Sequence, residues 1–121
     1  MCRVIETKIG DRTIKVADIE EKYIQNIIES AKACDYIDRV ILFGSGITDQ
    51  CTEESDIDLA VFGNQPETKC LRSKSYIRFS NDLSKNDRYQ RYDVLYFKTG
   101  TKTDSVIMND INNGELLYAR E

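Results

Sequence analysis

Three aspartates occupy positions from which they could share a metal ion. Asp56 and Asp58 flank one isoleucine in DIDLAVF (residues 56–62), and Asp93 lies in RYDVLYF (residues 91–97). Side chains alternate along a strand, so Asp56 and Asp58 are predicted to project from one face, opposite the apolar residues. Ionised carboxylates beside an apolar strand repel one another and lose hydration, and a bound cation would offset that cost. If the two strands are neighbours, the three carboxylates can converge.

Oxygen ligands of this kind suit Mg²⁺, which takes one or two carboxylates together with substrate phosphates. Two such ions, about 3.5–4 Å apart, could hold both the attacking and the leaving oxygen of a phosphoryl transfer. Two plainer interpretations stay open. The first pair of acids can be the solvated face of a half-exposed strand, and Asp93 can form a salt bridge with Arg91.

A glycine-rich turn precedes these acids. RVILF (residues 39–43) is a short apolar run typical of a buried strand, and Gly44, Ser45 and Gly46 follow it at once. Glycine permits tight backbone geometry and lets N–H groups approach a phosphate closely, and Ser45 adds a hydroxyl donor. The turn is therefore a candidate phosphate-binding loop; an ordinary strand-ending turn is the alternative.

The elements that must position these residues follow from periodicity and turn signals. Alternating runs on either side of Gly10 and Asp11 predict a hairpin in which Ile5 faces Val16 and Thr7 faces Ile14. Asp18 with Glu21 resembles a capping box that starts the first helix. The complete prediction is a hairpin over 3–18, helices over 18–34, 67–85 and 104–112, strands over 39–43, 56–62 and 91–97, and an edge strand over 115–119. This order indicates an α/β or α+β fold, a small mixed sheet covered by helices. We expect one domain over 1–121, with residues 1–17 as a hairpin extension.

Composition excludes several kinds of chemistry. The 121 residues contain no histidine, which rules out Ser–His and Cys–His nucleophilic catalysis and argues against the common zinc sites. Four widely spaced cysteines, with no C-x-x-C, are expected to be reduced thiols: Cys2, Cys34, Cys51 and Cys70. A net charge of −4 argues against non-specific nucleic-acid binding. No apolar run approaches the roughly 20 residues of a membrane span, so we expect no membrane association and a cytoplasmic protein.

The ordered set of motifs resembles the DNA polymerase β-type nucleotidyltransferases. A strand ending in Gly44-Ser45, about ten further residues, Asp56-Ile57-Asp58-Leu59 and a later strand with an aspartate follow that family's pattern. The short length and the closing IMNDINNGELLYA resemble the minimal, MNT-type subgroup. The resemblance runs from about residue 19 to residue 118, outside the initial hairpin.

The resemblance implies specific roles. Gly44 and Ser45 would hold a nucleotide triphosphate, Asp56 and Asp58 would coordinate two Mg²⁺ ions, and Asp93 would complete the metal site and help to activate the acceptor hydroxyl. Members of the family transfer a nucleoside monophosphate, commonly AMP from ATP, to a hydroxyl of a protein or small molecule and release pyrophosphate. Minimal members resemble antitoxins whose partner is a helical HEPN-domain toxin, and some of them modify a tyrosine of that toxin. A homodimer is also compatible with this resemblance.

One segment departs from the family pattern. Many minimal members follow Gly-Ser with a basic residue and then Ala-Arg-Gly, whereas this chain has Gly46, Ile47, Thr48 and Asp49. The loss of a positive charge weakens triphosphate binding. A second hypothesis is therefore a catalytically weak or inactive binding module that neutralises a partner by contact. An aminoglycoside-type transferase is a third, which would need more chain or a dimer to build its acceptor pocket.

Overall fold

The computed structural model describes residues 3–49, 52, 55–85, 91–101 and 106–120. Strands and helices alternate in an α+β order, which confirms the predicted fold class. The predictions for Cys2, Cys51 and the helix start at Asp104 fall outside the described residues. The elements are β1 (Val4–Ile9), β2 (Arg12–Ala17), α1 (Glu21–Lys32), β3 (Ile37–Phe43), β4 (Ile57–Gly63), α2 (Glu67–Leu71), α3 (Lys74–Lys85), β5 (Tyr92–Lys98), α4 (Val106–Asn112) and β6 (Glu115–Ala119).

A four-stranded mixed sheet forms the centre, with the order β5-β4-β3-β6. β4 runs parallel to β5, while β3 is antiparallel to both β4 and β6. One face of the sheet packs under α1 and α3 through the larger apolar cluster, which includes Leu42, Leu59 and Phe79. The opposite face packs under α4 through a smaller cluster that includes Phe62 and Ile111. The sheet is therefore the middle layer between two unequal helical layers.

β1 and β2 form the predicted hairpin. Ile5 pairs with Val16 and Thr7 pairs with Ile14, as the alternation predicts, and Gly10 has a positive φ of 62° in the turn. The hairpin is joined to the central sheet by Arg12, whose guanidinium donates to the carbonyl of Leu116 at 2.8 Å.

The first helix forms where predicted, but the capping box was wrong. The chain passes through a 3₁₀ turn at Asp18–Glu20 before α1, and neither helix start has a side-chain cap. The Asp18 carboxylate instead accepts a hydrogen bond from the backbone N–H of Arg3, at 3.1 Å. The Asp18 carboxylate therefore stabilises the open end of the hairpin. The helix α1 is held against the core by its buried stripe of Tyr23, Ile27 and Ala31.

The predicted helix over 67–85 is two helices. Ser73 interrupts it: its hydroxyl donates to the carbonyl of Cys70 at 2.7 Å and accepts from the N–H of Tyr76 at 3.1 Å. This side chain caps the start of α3, which turns Tyr76, Phe79 and Leu83 towards the core.

Gly114 follows α4, where the sequence predicts a glycine that stops the helix, but the structure requires glycine there for a different physical reason. Its φ is not positive, so it is not a left-handed helix stop. A Cβ at this position would lie 2.5 Å from the carbonyl oxygen of Leu42, so only glycine lets the end of α4 approach β3 this closely.

Cys34 and Cys70 are buried free thiols, as expected. No helix in the described part of the chain has the length and apolar character needed to cross a bilayer.

Candidate active site

Three acids lie near one end of the parallel pair β4–β5. Asp58 lies directly opposite Asp93 in the register of the two strands, and Asp56 lies just before β4. Because Ile57 and Leu59 belong to the core beneath α1 and α3, Asp58 projects from the other face, beside α4. The two strands that carry the acids, β4 and β5, are therefore neighbours, as convergence of the carboxylates requires.

Asp58 is the acid of this cluster whose pKa is shifted by its surroundings. Burial raises the pKa of Asp58 above its ordinary value of 3.8, and the charges of Asp93 and Asp56 raise this pKa further. Asp58 is half-buried, whereas Asp56 and Asp93 are exposed. The ionised form of Asp58 is therefore disfavoured in the absence of a compensating positive charge.

The donor set fits Mg²⁺ in chemistry, because all three side chains offer carboxylate oxygens, the ligands that this ion prefers. In the part of the chain that the structure describes, no three Asp, Glu, Cys or His side chains are close enough to enclose a metal ion as they stand. Asp56, Asp58 and Asp93 would therefore have to move closer together to hold an ion.

The glycine-serine turn is in direct contact with this acidic cluster. Residues Gly44–Ile47 form a 3₁₀ turn at the end of β3, closed by the N–H of Thr48, which donates to the carbonyl of Ser45 at 3.1 Å. Gly44 has a φ of 72°. A Cβ added there would overlap an oxygen of the Asp58 carboxylate and lie 3.2 Å from its Cγ. Glycine is thus required twice at this position, for its backbone conformation and for the space that Asp58 occupies.

A cleft of about 360 Å³ opens beside this turn. Gly44 and Ser45 line one side of it, and Asp110 and Asn113, at the end of α4, line the other. Asp110 and Asn113 were not predicted from the sequence, because their position depends on the close approach of Gly114 to β3. The only charged residue among the described residues that line this cleft is an acid, and the Gly46–Asp49 segment supplies no base.

A second, larger cleft of about 880 Å³ lies beside Asp56 and Asp93. Tyr76, Ser80 and Leu83 of α3 contribute to it. Burial raises the pKa of Tyr76 to about 12, so its phenol stays neutral at physiological pH. These α3 residues were not predicted as part of a site, because their helix was predicted without the break at residue 73.

Similarity to known proteins relates the chain to one family. A family model described as "Polymerase beta, Nucleotidyltransferase" matches residues 25–121. The match begins within α1 and includes the glycine-serine turn and all three acids, while the hairpin lies outside it. A search of the curated proteins finds no match.

Proposed function

Since the chain belongs to the polymerase beta nucleotidyltransferase family, whose general function is nucleotidyl transfer, we propose that it is a Mg²⁺-dependent enzyme. The nucleotide we propose is ATP, and the acceptor is a hydroxyl of a protein or a small molecule. The observation that carries this proposal is the contact geometry of Asp58, which faces Asp93 across β4–β5 and fills the space above Gly44. A carboxylate in that place connects the metal-binding acids with the turn that would hold the triphosphate.

The residues have separate roles in this proposal. Backbone N–H groups of the turn and the hydroxyl of Ser45 bind the triphosphate next to Gly44. Asp56, Asp58 and Asp93 hold Mg²⁺, which supplies positive charge for the phosphate oxygens when it is bound. The acceptor oxygen forms a bond to the α-phosphorus while the bond from that phosphorus to the pyrophosphate oxygen breaks. The hydroxyl proton passes to the carboxylate of Asp93 or to water, and pyrophosphate leaves.

Transfer of label from ATP carrying a radioactive α-phosphate tests this function. The protein is incubated with Mg²⁺ and with candidate acceptors, among them hydroxyl-bearing small molecules and any helical protein encoded beside it. We expect labelled acceptor with the unchanged protein and none with Asp56→Asn/Asp58→Asn. The double variant Asp11→Asn/Asp35→Asn is a matched control, because it removes the same charge from exposed positions outside the candidate site. Label that persists at the unchanged rate in the Asp56/Asp58 variant would refute the proposal.

Nucleotide binding, measured by calorimetry with and without Mg²⁺, gives a readout that needs no acceptor. We expect ATP to bind in the presence of Mg²⁺ and to lose most of its affinity when the ion is removed or Asp58 is replaced by asparagine. Comparison of ATP, GTP, CTP and UTP in the same titration identifies the nucleotide.

A second candidate function is neutralisation of a partner protein by contact, without catalysis. The feature that favours it is the acidic character of the cleft beside Gly44, where Asp110 lies and the basic residue of the minimal family pattern is missing. The partner proposed from the resemblance is a HEPN-type toxin, with a homodimer of this chain as the other assembly. Neutralisation that survives Asp56→Asn/Asp58→Asn at full strength would select this function over the enzymatic one.

A further inference from the structure

The larger cleft faces the edge of a strand. Four consecutive residues line it, from Arg91, which precedes β5, through Tyr92 and Asp93 to Val94. Consecutive side chains of a strand point to opposite faces of the sheet, so a cleft over one face would be lined by every second residue. Because residues from both faces contribute, together with Asp56 just before β4, the cleft lies around the start of β5 and reaches the side of that strand, where backbone groups are presented. β5 is the end strand of the described sheet order, which leaves that side open to the cleft.

The direction of the backbone groups follows from the pairing. The N–H of Ile57 donates to the carbonyl of Arg91 at 2.9 Å, and Ile57 is the register partner of Tyr92. In a parallel ladder the residues on either side of a register partner bond to the neighbouring strand, and the alternate residues point away. The N–H and C=O of Val94 and of Tyr96 therefore point to the open side of β5.

The opposite edge of the sheet is β6, and it differs from the β5 edge because the hairpin contacts it. The guanidinium of Arg12 donates to the carbonyls of Leu116 and Leu117 on β6, at 2.8 and 3.3 Å. Open strand edges attract further strands, and natural proteins cover those that are not used. Here the hairpin covers the β6 edge, while the β5 edge borders a cleft that also contains two of the three acids.

The two clefts are separate, and each borders part of the candidate site. The smaller is lined by Gly44 and Ser45, the larger by Asp56 and Asp93, and their described linings share no residue. Transfer at a phosphorus brings the attacking oxygen in opposite the leaving one, so a triphosphate in the smaller cleft leaves the larger one for the acceptor. A ligand that matches an open strand edge is an extended peptide, which gains main-chain hydrogen bonds along it.

We propose that the acceptor is an extended segment of a polypeptide that adds beside β5 and presents a side-chain hydroxyl to Asp93. This inference rests on the proposed enzymatic function and specifies its substrate class. The bond that forms joins the hydroxyl oxygen of the peptide to the α-phosphorus of the nucleotide, and pyrophosphate leaves with the electrons of the bond that breaks. Tyr76, Leu83 and Val94 give the segment an apolar wall to pack on.

Synthetic peptides test the inference in the label-transfer assay. The probes are blocked peptides of about ten residues, each with one central tyrosine, serine or threonine among alternating β-branched residues. Each has two controls: the same peptide N-methylated at two alternate positions, which keeps the side chains but removes main-chain donors, and the N-acetyl amide of the central residue alone. We expect transfer to the unmodified peptide at a rate at least roughly tenfold above both controls.

A backbone variant tests the same edge from the side of the protein. Val94→Pro removes an N–H that points away from β4, a position at which an edge strand tolerates proline. We expect it to lower peptide labelling at least roughly tenfold, and more than Val94→Ala, which keeps the N–H. Hydrogen exchange on the unchanged protein gives a readout that does not depend on the variant's folding. The amides of Val94 and Tyr96 should exchange more slowly when peptide and a non-hydrolysable ATP analogue are present.

The outcomes separate the two proposals. Equal labelling of unmodified and N-methylated peptides, unchanged exchange at Val94 and Tyr96, or Asp56- and Asp58-dependent transfer only to small molecules such as aminoglycosides would overturn the peptide proposal and leave the enzyme in place. Absence of ATP binding in Mg²⁺ would overturn the proposed function, and the peptide proposal with it.

Discussion

Substitution of Gly44 by alanine probes the contact on which the proposed site depends. The methyl group would have to enter space held by the carboxylate of Asp58, at a residue whose φ is 72°. The left-handed conformation costs an alanine about 1–2 kcal/mol. Moving the short Asp58 side chain off its preferred rotamer costs about 0.5–1.5 kcal/mol more. We therefore expect Gly44→Ala to lower the free energy of unfolding by about 1.5–3.5 kcal/mol, with a Tm reduction of about 4 °C per kcal/mol for a chain of this size.

The hairpin offers a matched control for the backbone part of this change. Gly10 has a φ of 62°, and a Cβ added there would meet no atom within 4 Å. Gly10→Ala should therefore cost only the conformational part, about 1–2 kcal/mol, without affecting label transfer. Gly44→Ala, in contrast, should reduce label transfer about 100-fold, since a displacement of about 1 Å in a reacting group can have that effect.

Urea denaturation of the two variants, together with the label-transfer assay, measures both quantities. A double-mutant cycle isolates the contact: in Asp58→Ala the remaining Cβ lies 3.4 Å from the added methyl, an ordinary distance, so the extra cost at Gly44 should disappear. The coupling free energy should be about 1 kcal/mol. If Gly44→Ala is no less stable than Gly10→Ala and transfers label normally, the carboxylate of Asp58 is not held against the turn, and the proposed site geometry is wrong.

Three further predictions concern the pKa of Asp58 and two structural contacts. Because the folded state raises the pKa of Asp58 above its ordinary 3.8, the stability that this group contributes is present in acid and is lost as pH rises through the raised value. Wild type should therefore lose stability relative to Asp58→Asn above about pH 4, and chemical denaturation over a pH series that shows the reverse order would contradict this. Arg12→Ala should lower the free energy of unfolding by about 1 kcal/mol and speed hydrogen exchange in β1 and β2, an effect that Arg12→Lys should only partly reproduce. Ser73→Ala should cost about 1 kcal/mol in urea denaturation through loss of the α3 cap, and Ser73→Asn should restore most of it.

The parts of the fold that were predicted correctly are set by local pattern. The hairpin register follows from strict alternation and a turn at Gly10 and Asp11, so Ile5 could be paired with Val16 before any tertiary contact was known. Asp58 and Asp93 could be assigned to strands in the same way. Their adjacency, however, was only a condition for convergence, because alternation within a strand does not say which strand is its neighbour.

The missed features depend on contacts between distant segments. Asp18 was expected to cap α1, but its carboxylate bonds to the backbone of Arg3, a competing partner that the hairpin brings near. Asp110 comes to the glycine-serine turn only because Gly114 permits α4 to approach β3, and nothing within a helical pattern specifies that approach. The break at Ser73 was missed because serine is tolerated inside a helix, and its choice of the Cys70 carbonyl depends on the chain turning there.

The balance of charge near Gly44 sets different requirements for the two proposed functions. A triphosphate placed there would lie beside Asp58 and Asp110, and the described residues that line the cleft include neither lysine nor arginine. Each uncompensated acid beside a phosphate opposes its binding, because charges of the same sign repel. The proposed enzymatic function therefore requires divalent cations to supply the positive charge that the minimal-subgroup pattern partly obtains from a basic side chain. Neutralisation by contact makes no such demand, since an acidic surface suits a basic partner directly. The same carboxylates thus support either function, and the dependence of binding on Mg²⁺ is what distinguishes them.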